Sequence, residues 1–164
     1  MNLQKKETLL IVDDSKFQRA IIKEMLGEHF RLEEATSGEE CLMILEKSSH
    51  LIDLVLLDLV MPGIDGFEVL RRRQTMDAFK DINFADVSDT TDSGKFIWDT
   101  VKDANPNHVC PVIAICREGS LDQIQTAVSS EIIDDLLFSP LEVSVLKRRI
   151  NANIHPDKNN EADA

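Results

Sequence analysis

One short segment, residues 54–66 (LVLLDLVMPGIDG), constrains the fold more than any other part of the sequence. Four apolar residues lead directly into Asp58, and the chain then turns through Met61, Pro62 and Gly63. A short apolar run bounded by Pro and Gly is typical of a strand buried on both faces. An unpaired charge in a dry interior costs several kcal/mol, so this strand must end at a wet cleft or beside groups that neutralise Asp58.

Three further apolar runs and a more polar strand, residues 30–35, alternate with amphipathic segments along the chain. The predicted strands are residues 8–12, 30–35, 53–58, 110–116 and 132–138. The predicted helices are residues 15–26, a second beginning at 37, 66–73, a fourth beginning at 120, and 141–150. Strict alternation of strands and helices predicts an α/β fold, a doubly wound five-stranded parallel sheet with helices on both faces.

The apolar positions of the first two predicted helices recur at helical spacing. In the first they are Phe17, Ala20, Ile21 and Met25, which indicates an amphipathic helix. In the second, Cys41 lies on the apolar stripe and is predicted to be a core residue.

Residues 74–108 interrupt the alternation and form an insertion before the fourth strand. An αβ connection needs only a few residues, whereas this one is long and polar. Within it, Phe96, Ile97 and Val101 recur at helical spacing, and the single tryptophan, Trp98, lies off that stripe. Two hypotheses stay open: Trp98 is exposed as part of a recognition surface, or it folds back onto the third helix.

Length and charge set the class of protein. The 164 residues are sufficient for one domain at 1–153, followed by a polar tail at 154–164 that is disordered or the stub of a linker. A net charge of −12 argues against direct binding of nucleic acid or of an anionic membrane. The sequence shows neither a membrane-spanning stretch nor a signal peptide. Three cysteines without paired spacing favour reduced thiols in the cytoplasm.

The acidic residues at the strand ends are the candidate site. Asp13 and Asp14 follow the first strand, and Asp58 ends the third, which lies beside it in a doubly wound sheet. Three converging carboxylates repel one another, and a hard divalent cation such as Mg²⁺ relieves that repulsion. The alternative is helix capping, by Asp14 or Ser15 for the first helix and by Asp65 for the third.

Three segments together resemble a known family. They are LLIVDDS at 9–15, DLVMPGIDGFEVL at 58–70 and PVIAI at 111–115. With these segments the chain resembles the response-regulator receiver domain, the phosphoacceptor of two-component and phosphorelay signalling. The resemblance covers residues 7–153, with 74–108 unmatched. It implies the flavodoxin-like strand order 2-1-3-4-5.

The resemblance also implies roles for individual residues. Asp58 would accept the phosphoryl group, and Asp14, Asp58 and the backbone carbonyl of Val60 would ligate Mg²⁺, with Asp13 acting mainly through water. The domain would be a phosphoryl acceptor rather than an enzyme, with at most slow self-phosphorylation and self-dephosphorylation. Its partners would be a histidine kinase or phosphotransfer protein and a downstream protein target or output domain. A homodimer stays open.

The other half of the family's site is altered. Cys116 stands at the position of the usual Thr or Ser, Ser139 at that of the usual Lys, and Leu136 at that of an aromatic residue. A thiol is a weak hydrogen-bond donor, and Ser139 brings no charge. Arg117 either supplies the missing cation or is a solvent-facing residue of a loop. Two functions therefore stay open: a phosphorylatable receiver, or a degenerate receiver acting as a phosphorylation-independent interaction or dimerisation module.

Overall fold

The computed structural model describes residues 6–48, 51–72, 110–117, 125 and 133–156. Three predictions concern residues outside these ranges and stay predictions. They are the 74–108 insertion with Trp98, the helix expected to begin at Ser120 apart from residue 125, and residues 157–164 of the predicted polar tail.

Five parallel strands form a single sheet. They are β1 (Thr8–Val12), β2 (Arg31–Ala35), β3 (Leu54–Asp58), β4 (Val112–Arg117) and β5 (Asp135–Ser139). Their order is β2-β1-β3-β4-β5, which confirms the predicted flavodoxin-like topology. The polar strand β2 lies at one edge of the sheet, where one row of backbone groups needs no partner strand.

Four helices lie within the described ranges. They are α1 (Lys16–Leu26), α2 (Gly38–Ser48), α3 (residues 66–72) and α4 (Val143–Ile154). The predicted start of α4 at residue 141 was two residues too early, and its last turn runs to Ile154, beyond the predicted end. The Ser139–Pro140 peptide bond preceding it is cis. His155 then contacts Glu7, with Nε2 and Oε1 3.0 Å apart.

The core consists of two apolar layers, one on each face of the sheet. Alternate residues of β1 divide between them: Leu10 and Val12 pack toward α2 and α3, whereas Leu9 and Ile11 pack toward α1 and α4. Strands β3 and β4 alternate in the same way, as period-two side-chain geometry requires. Cys41 is fully buried in the first layer, which confirms its predicted core position.

Helix α1 does not bury all of its apolar residues. Phe17 is 73% exposed and Ala20 is exposed, whereas the buried residues of this helix are Arg19, Ile22 and Leu26. The helix has apolar side chains on more than one face, so spacing alone did not determine its rotation. The structure rotates α1 so that Arg19 reaches polar acceptors at the end of β1 and on β2.

The turn after β3 requires glycine at two positions. Gly63 has a φ of 76°, in the region that favours glycine. Gly66 begins α3 so close to the strand end that an added Cβ would lie 2.5 Å from the carbonyl oxygen of Asp58. The Pro-Gly turn therefore brings α3 directly against the carboxyl end of β3.

Among the helices that the structure describes, none is both long and apolar enough to cross a membrane.

Candidate functional site

Three carboxylates meet at the carboxyl edge of the sheet. Asp13 and Asp14 directly follow β1, and Asp58 is the last residue of the neighbouring β3. One carboxylate oxygen from each lies within 4.8 Å of the others. The structure therefore brings together the three acids that the sequence pattern singled out.

Asp58 is almost completely buried. The residue is only 3% exposed, and its Oδ1 accepts a hydrogen bond from the backbone N–H of Val60 at 3.0 Å. Within the described part of the chain its Oδ2 is buried without a hydrogen-bond partner. Burial, followed by the negative charge of Asp13, raises the pKa of Asp58 to about 6. Asp58 thus presents one carboxylate oxygen that accepts no hydrogen bond from the described residues.

Asp13 is buried as well, whereas Asp14 is exposed. The Oδ1 atom of Asp13 accepts the N–H of Ser15 at 2.8 Å, and its backbone carbonyl accepts a hydrogen bond from Arg19 Nη1 at 2.7 Å. Burial raises the pKa of Asp13, and the charge of Asp14 acts in the same direction. Asp13 is therefore held from both its side chain and its backbone, and Asp14 faces solvent beside it.

Helix capping does not account for the cluster. Ser15 caps α1 by accepting the N–H of Gln18 at 3.3 Å, and Asp65 caps α3 by accepting the N–H of Glu68 at 2.9 Å. The two helix N-termini beside the site are thus already capped by other residues.

The donor set fits Mg²⁺. The ion prefers hard oxygen ligands, takes one or two carboxylates directly and keeps several waters. The cluster offers three carboxylates within 4.8 Å of one another, and a cation would neutralise their combined negative charge. Val60, whose backbone carbonyl the family resemblance adds to the ligand set, lies directly beside Asp58.

Of the residues at the altered positions, Cys116 lies on β4 near Asp58, and Ser139 and Leu136 lie on β5. Cys116 is 2% exposed and follows Ile115, the register partner of Asp58. Burial and the nearby charge of Asp58 raise the pKa of the Cys116 thiol to about 11. Ser139 and Leu136 are half-buried on β5. The site therefore has a neutral thiol where the family resemblance implies a hydroxyl.

Arg117 is the last residue of β4 rather than part of a loop. Its side chain is 58% exposed, and its Nη2 lies 3.8 Å from Asp58 Oδ2. The sequence left two roles open for this residue, and the structure places its charge beside Asp58.

Arg19 is the residue near the site that sequence reasoning missed. It is buried, donates to the Asp13 carbonyl and pairs with Glu34 Oε2 at 3.0 Å. No local pattern identifies an arginine on an amphipathic helix as an inward-facing residue, because its acceptors come from other elements. The one sequence feature that could have pointed to Arg19 as a residue near the site is its position five residues after the acidic pair.

Comparisons with known proteins agree with this geometry. Residues 9–83 match the family model described as the response regulator receiver domain. A probable cyclic di-GMP phosphodiesterase of Vibrio cholerae is 45% identical over 65 residues, which are 40% of this chain and 14% of that protein. The chain therefore spans a small part of that relative.

Two solved structures share the fold. A response regulator receiver domain protein from Clostridium thermocellum has a TM-score of 0.66 at 24% identity and covers 93% of this chain and 97% of its own. The receiver domain of the sensor histidine kinase PA1611 from Pseudomonas aeruginosa, crystallised with magnesium in its active-site cleft, has a TM-score of 0.65 at 16% identity. It covers 92% of this chain and 98% of its own.

The fold and the site define a doubly wound α/β domain with an acidic centre at the carboxyl edge of its sheet. With the family match over residues 9–83, this shows that the chain contains a response regulator receiver domain.

Proposed function

We propose that this chain is the phosphoacceptor receiver of a two-component or phosphorelay system. It takes a phosphoryl group on Asp58 with Mg²⁺ and signals through protein–protein contacts. One observation carries the proposal: three carboxylates lie within 4.8 Å, and one of them has a buried oxygen without a hydrogen-bond partner in the described residues. Such a centre requires a cation, and a cation beside a carboxylate suits phosphoryl transfer.

The chemistry assigns different tasks to the two oxygens of Asp58. The N–H of Val60 holds Oδ1 and thereby orients the carboxylate. Oδ2 attacks the phosphorus of a phosphohistidine or a small acyl phosphate. A new O–P bond forms, the donor's P–N or P–O bond breaks, and its electron pair leaves with the donor. The product is an aspartyl phosphate.

The metal ligands in this proposal are Asp13, Asp14, Asp58 and the backbone carbonyl of Val60, with Asp13 acting mainly through water. A bound Mg²⁺ would neutralise charge on the phosphoryl oxygens during transfer. The magnesium in the cleft of the Pseudomonas receiver domain supports the choice of ion.

The phosphoryl donor is proposed to be a histidine kinase or a phosphotransfer protein in the cytoplasm. The recipient of the signal is a downstream protein or an attached output domain, without direct contact to nucleic acid or membrane. The domain acts as a phosphoryl acceptor rather than as an enzyme with a substrate of its own. The domain is proposed to extend from the N-terminus to the end of α4, and the polar segment follows it.

Intact-mass spectrometry after incubation with acetyl phosphate and Mg²⁺ tests the proposal. The wild type should gain the mass of one phosphoryl group, and Asp58→Asn should not. Asp53→Asn is the matched control, because Asp53 lies at the amino end of β3 and an amide can still accept the N–H of Thr8. An adduct that persists in Asp58→Asn, or that is absent from the wild type, contradicts the assignment of Asp58.

A second candidate is a degenerate receiver that binds partners or dimerises without phosphorylation. The buried thiol of Cys116 and the uncharged Ser139 favour it, because both weaken the recognition of phosphoryl oxygens. This candidate expects Mg²⁺ binding without any adduct. Sedimentation of the untreated protein would then show the dimer or the partner complex.

A further inference from the structure

The positive charge nearest to Asp58 comes from β4 rather than from β5. Arg117 Nη2 lies 3.8 Å from Asp58 Oδ2, and among the Lys and Arg side chains in the described ranges it is the one within 4.0 Å of that carboxylate. This separation exceeds the roughly 2.7–2.9 Å of a charge-assisted hydrogen bond. The guanidinium therefore faces the nucleophilic oxygen across a gap rather than in direct hydrogen-bond contact.

The position of Arg117 relative to Ser139 explains how one residue could replace the function of the other. The two residues are register partners at the carboxyl ends of β4 and β5. Neighbouring strands lie about 4.8 Å apart. A cationic side chain at position 117 therefore lies at the same edge of the sheet as one at position 139 would. The long arginine side chain covers that distance, which the hydroxymethyl group of Ser139 could not.

The chemistry of the phosphorylated state requires such a cation. A phosphoryl group on Asp58 adds negative oxygens to a centre that already holds Asp13 and Asp14. Arginine presents several donors in one plane and is well suited to phosphate oxygens. Because the side chain is more than half exposed, it has room to move from the carboxylate to an added group.

Resting on the proposed phosphoacceptor role of Asp58, we propose that Arg117 binds the phosphoryl oxygens of phosphorylated Asp58. It thereby takes the place of the lysine that is absent at Ser139.

A purely structural ion pair makes a different prediction. An exposed arginine paired with a carboxylate contributes only about 0–1 kcal/mol to stability. If Arg117 did no more than this, its removal would leave phosphoryl binding unchanged.

The test uses beryllofluoride with Mg²⁺ as the phosphoryl analogue, with binding measured by fluorine NMR on the full chain. Arg117→Gln, which removes the charge but keeps a polar side chain, should weaken beryllofluoride binding about tenfold or more, as expected for loss of a charged hydrogen bond. Arg117→Lys should bind with intermediate affinity. Ser139→Lys added to Arg117→Gln should restore binding, because it returns a cation to the neighbouring strand end.

Arg149→Gln is the matched control. This residue is also a half-exposed arginine paired with an aspartate, Asp135 at 3.4 Å, at the opposite end of the sheet. Its substitution should leave beryllofluoride binding unchanged. Circular dichroism should show that all variants are folded.

The outcomes separate the two proposals. Equal beryllofluoride binding by the wild type and Arg117→Gln overturns the role of Arg117 and leaves Asp58 as the phosphoacceptor. Failure of Ser139→Lys to restore binding to Arg117→Gln also counts against it. No binding and no acetyl phosphate adduct in the wild type overturns the phosphoacceptor function, and with it this inference.

Discussion

Arg19 holds Asp13 in place through the backbone: its Nη1 donates to the Asp13 carbonyl oxygen at 2.7 Å, in a buried contact. The same guanidinium uses its Nε to donate to Glu34 Oε2 at 3.0 Å. One arginine thus joins the acidic turn after β1 to the edge strand β2. The geometry of the carboxylate cluster depends on this residue, although it is not itself a ligand.

Replacing Arg19 should therefore affect both stability and metal binding. Arg19→Met leaves the Asp13 carbonyl without its donor, and we expect a loss of about 1–3 kcal/mol in the free energy of unfolding. Mg²⁺ affinity should fall as well, because the turn that carries Asp13 and Asp14 loosens. Urea unfolding and magnesium titration measure the two effects. Lys23→Met, which removes the exposed partner of Glu34, should change both far less.

Glu34 should make the fold sensitive to acid. Its hydrogen bond from Lys23, together with that from Arg19, lowers its pKa below the usual 4.5. A carboxylate with a lowered pKa stabilises the folded state above its unfolded pKa, and this stabilisation is lost as the pH falls through the folded value. Glu34→Gln should therefore be less stable than the wild type at pH 7, with a difference that shrinks below about pH 4. Thermal unfolding across this range tests it, and a constant difference would contradict it.

Asp58 should act on stability in the opposite direction. Its pKa is raised from 3.8 to about 6 by burial. The folded state then binds the proton more tightly than the unfolded state, so its ionisation lowers stability as the pH rises from about 4 through 6. In metal-free buffer Asp58→Asn should be more stable than the wild type at pH 8, by up to about 3 kcal/mol. The advantage should vanish below about pH 4, and a variant that is less stable at pH 8 would show the reasoning to be wrong.

Mg²⁺ should bind at the carboxylate cluster. Three oxygens within 4.8 Å of one another need neutralisation. Amide NMR signals of residues around Asp13 and Asp58 should shift on titration, and the wild type should gain thermal stability. Asp14→Ala should abolish both effects, whereas Asp53→Asn should preserve them. If the amide signals do not shift at millimolar Mg²⁺, the prediction is wrong.

The thiol of Cys116 should be unreactive in the folded protein. It is 2% exposed and has a pKa of about 11, so almost no thiolate is present at pH 8. Alkylation with iodoacetamide followed by peptide mass spectrometry should show Cys116 protected in native protein and modified after unfolding. Fast native modification of Cys116 would mean that the end of β4 is open to solvent.

The sequence by itself determined the topology and the membership of the acidic cluster. Buried strands alternating with helices leave few arrangements, because parallel strands need right-handed crossovers. The carboxyl ends of neighbouring parallel strands must share one edge. Asp13 and Asp14 after β1 therefore had to lie near Asp58 at the end of β3. These inferences need local patterns, a topological rule and the strand order that the resemblance to receiver domains implies.

The tertiary structure alone decided which side chains complete the site. Phe17 and Arg19 lie on one amphipathic helix, and hydrophobicity alone favours burial of the phenylalanine. The structure buries the arginine instead, because its acceptors, the Asp13 carbonyl and Glu34, come from two other segments. The closeness of Arg117 to Asp58 likewise follows from strand pairing between residues 59 positions apart. Contacts of this kind depend on how separate elements pack, so they have no local signature in the sequence.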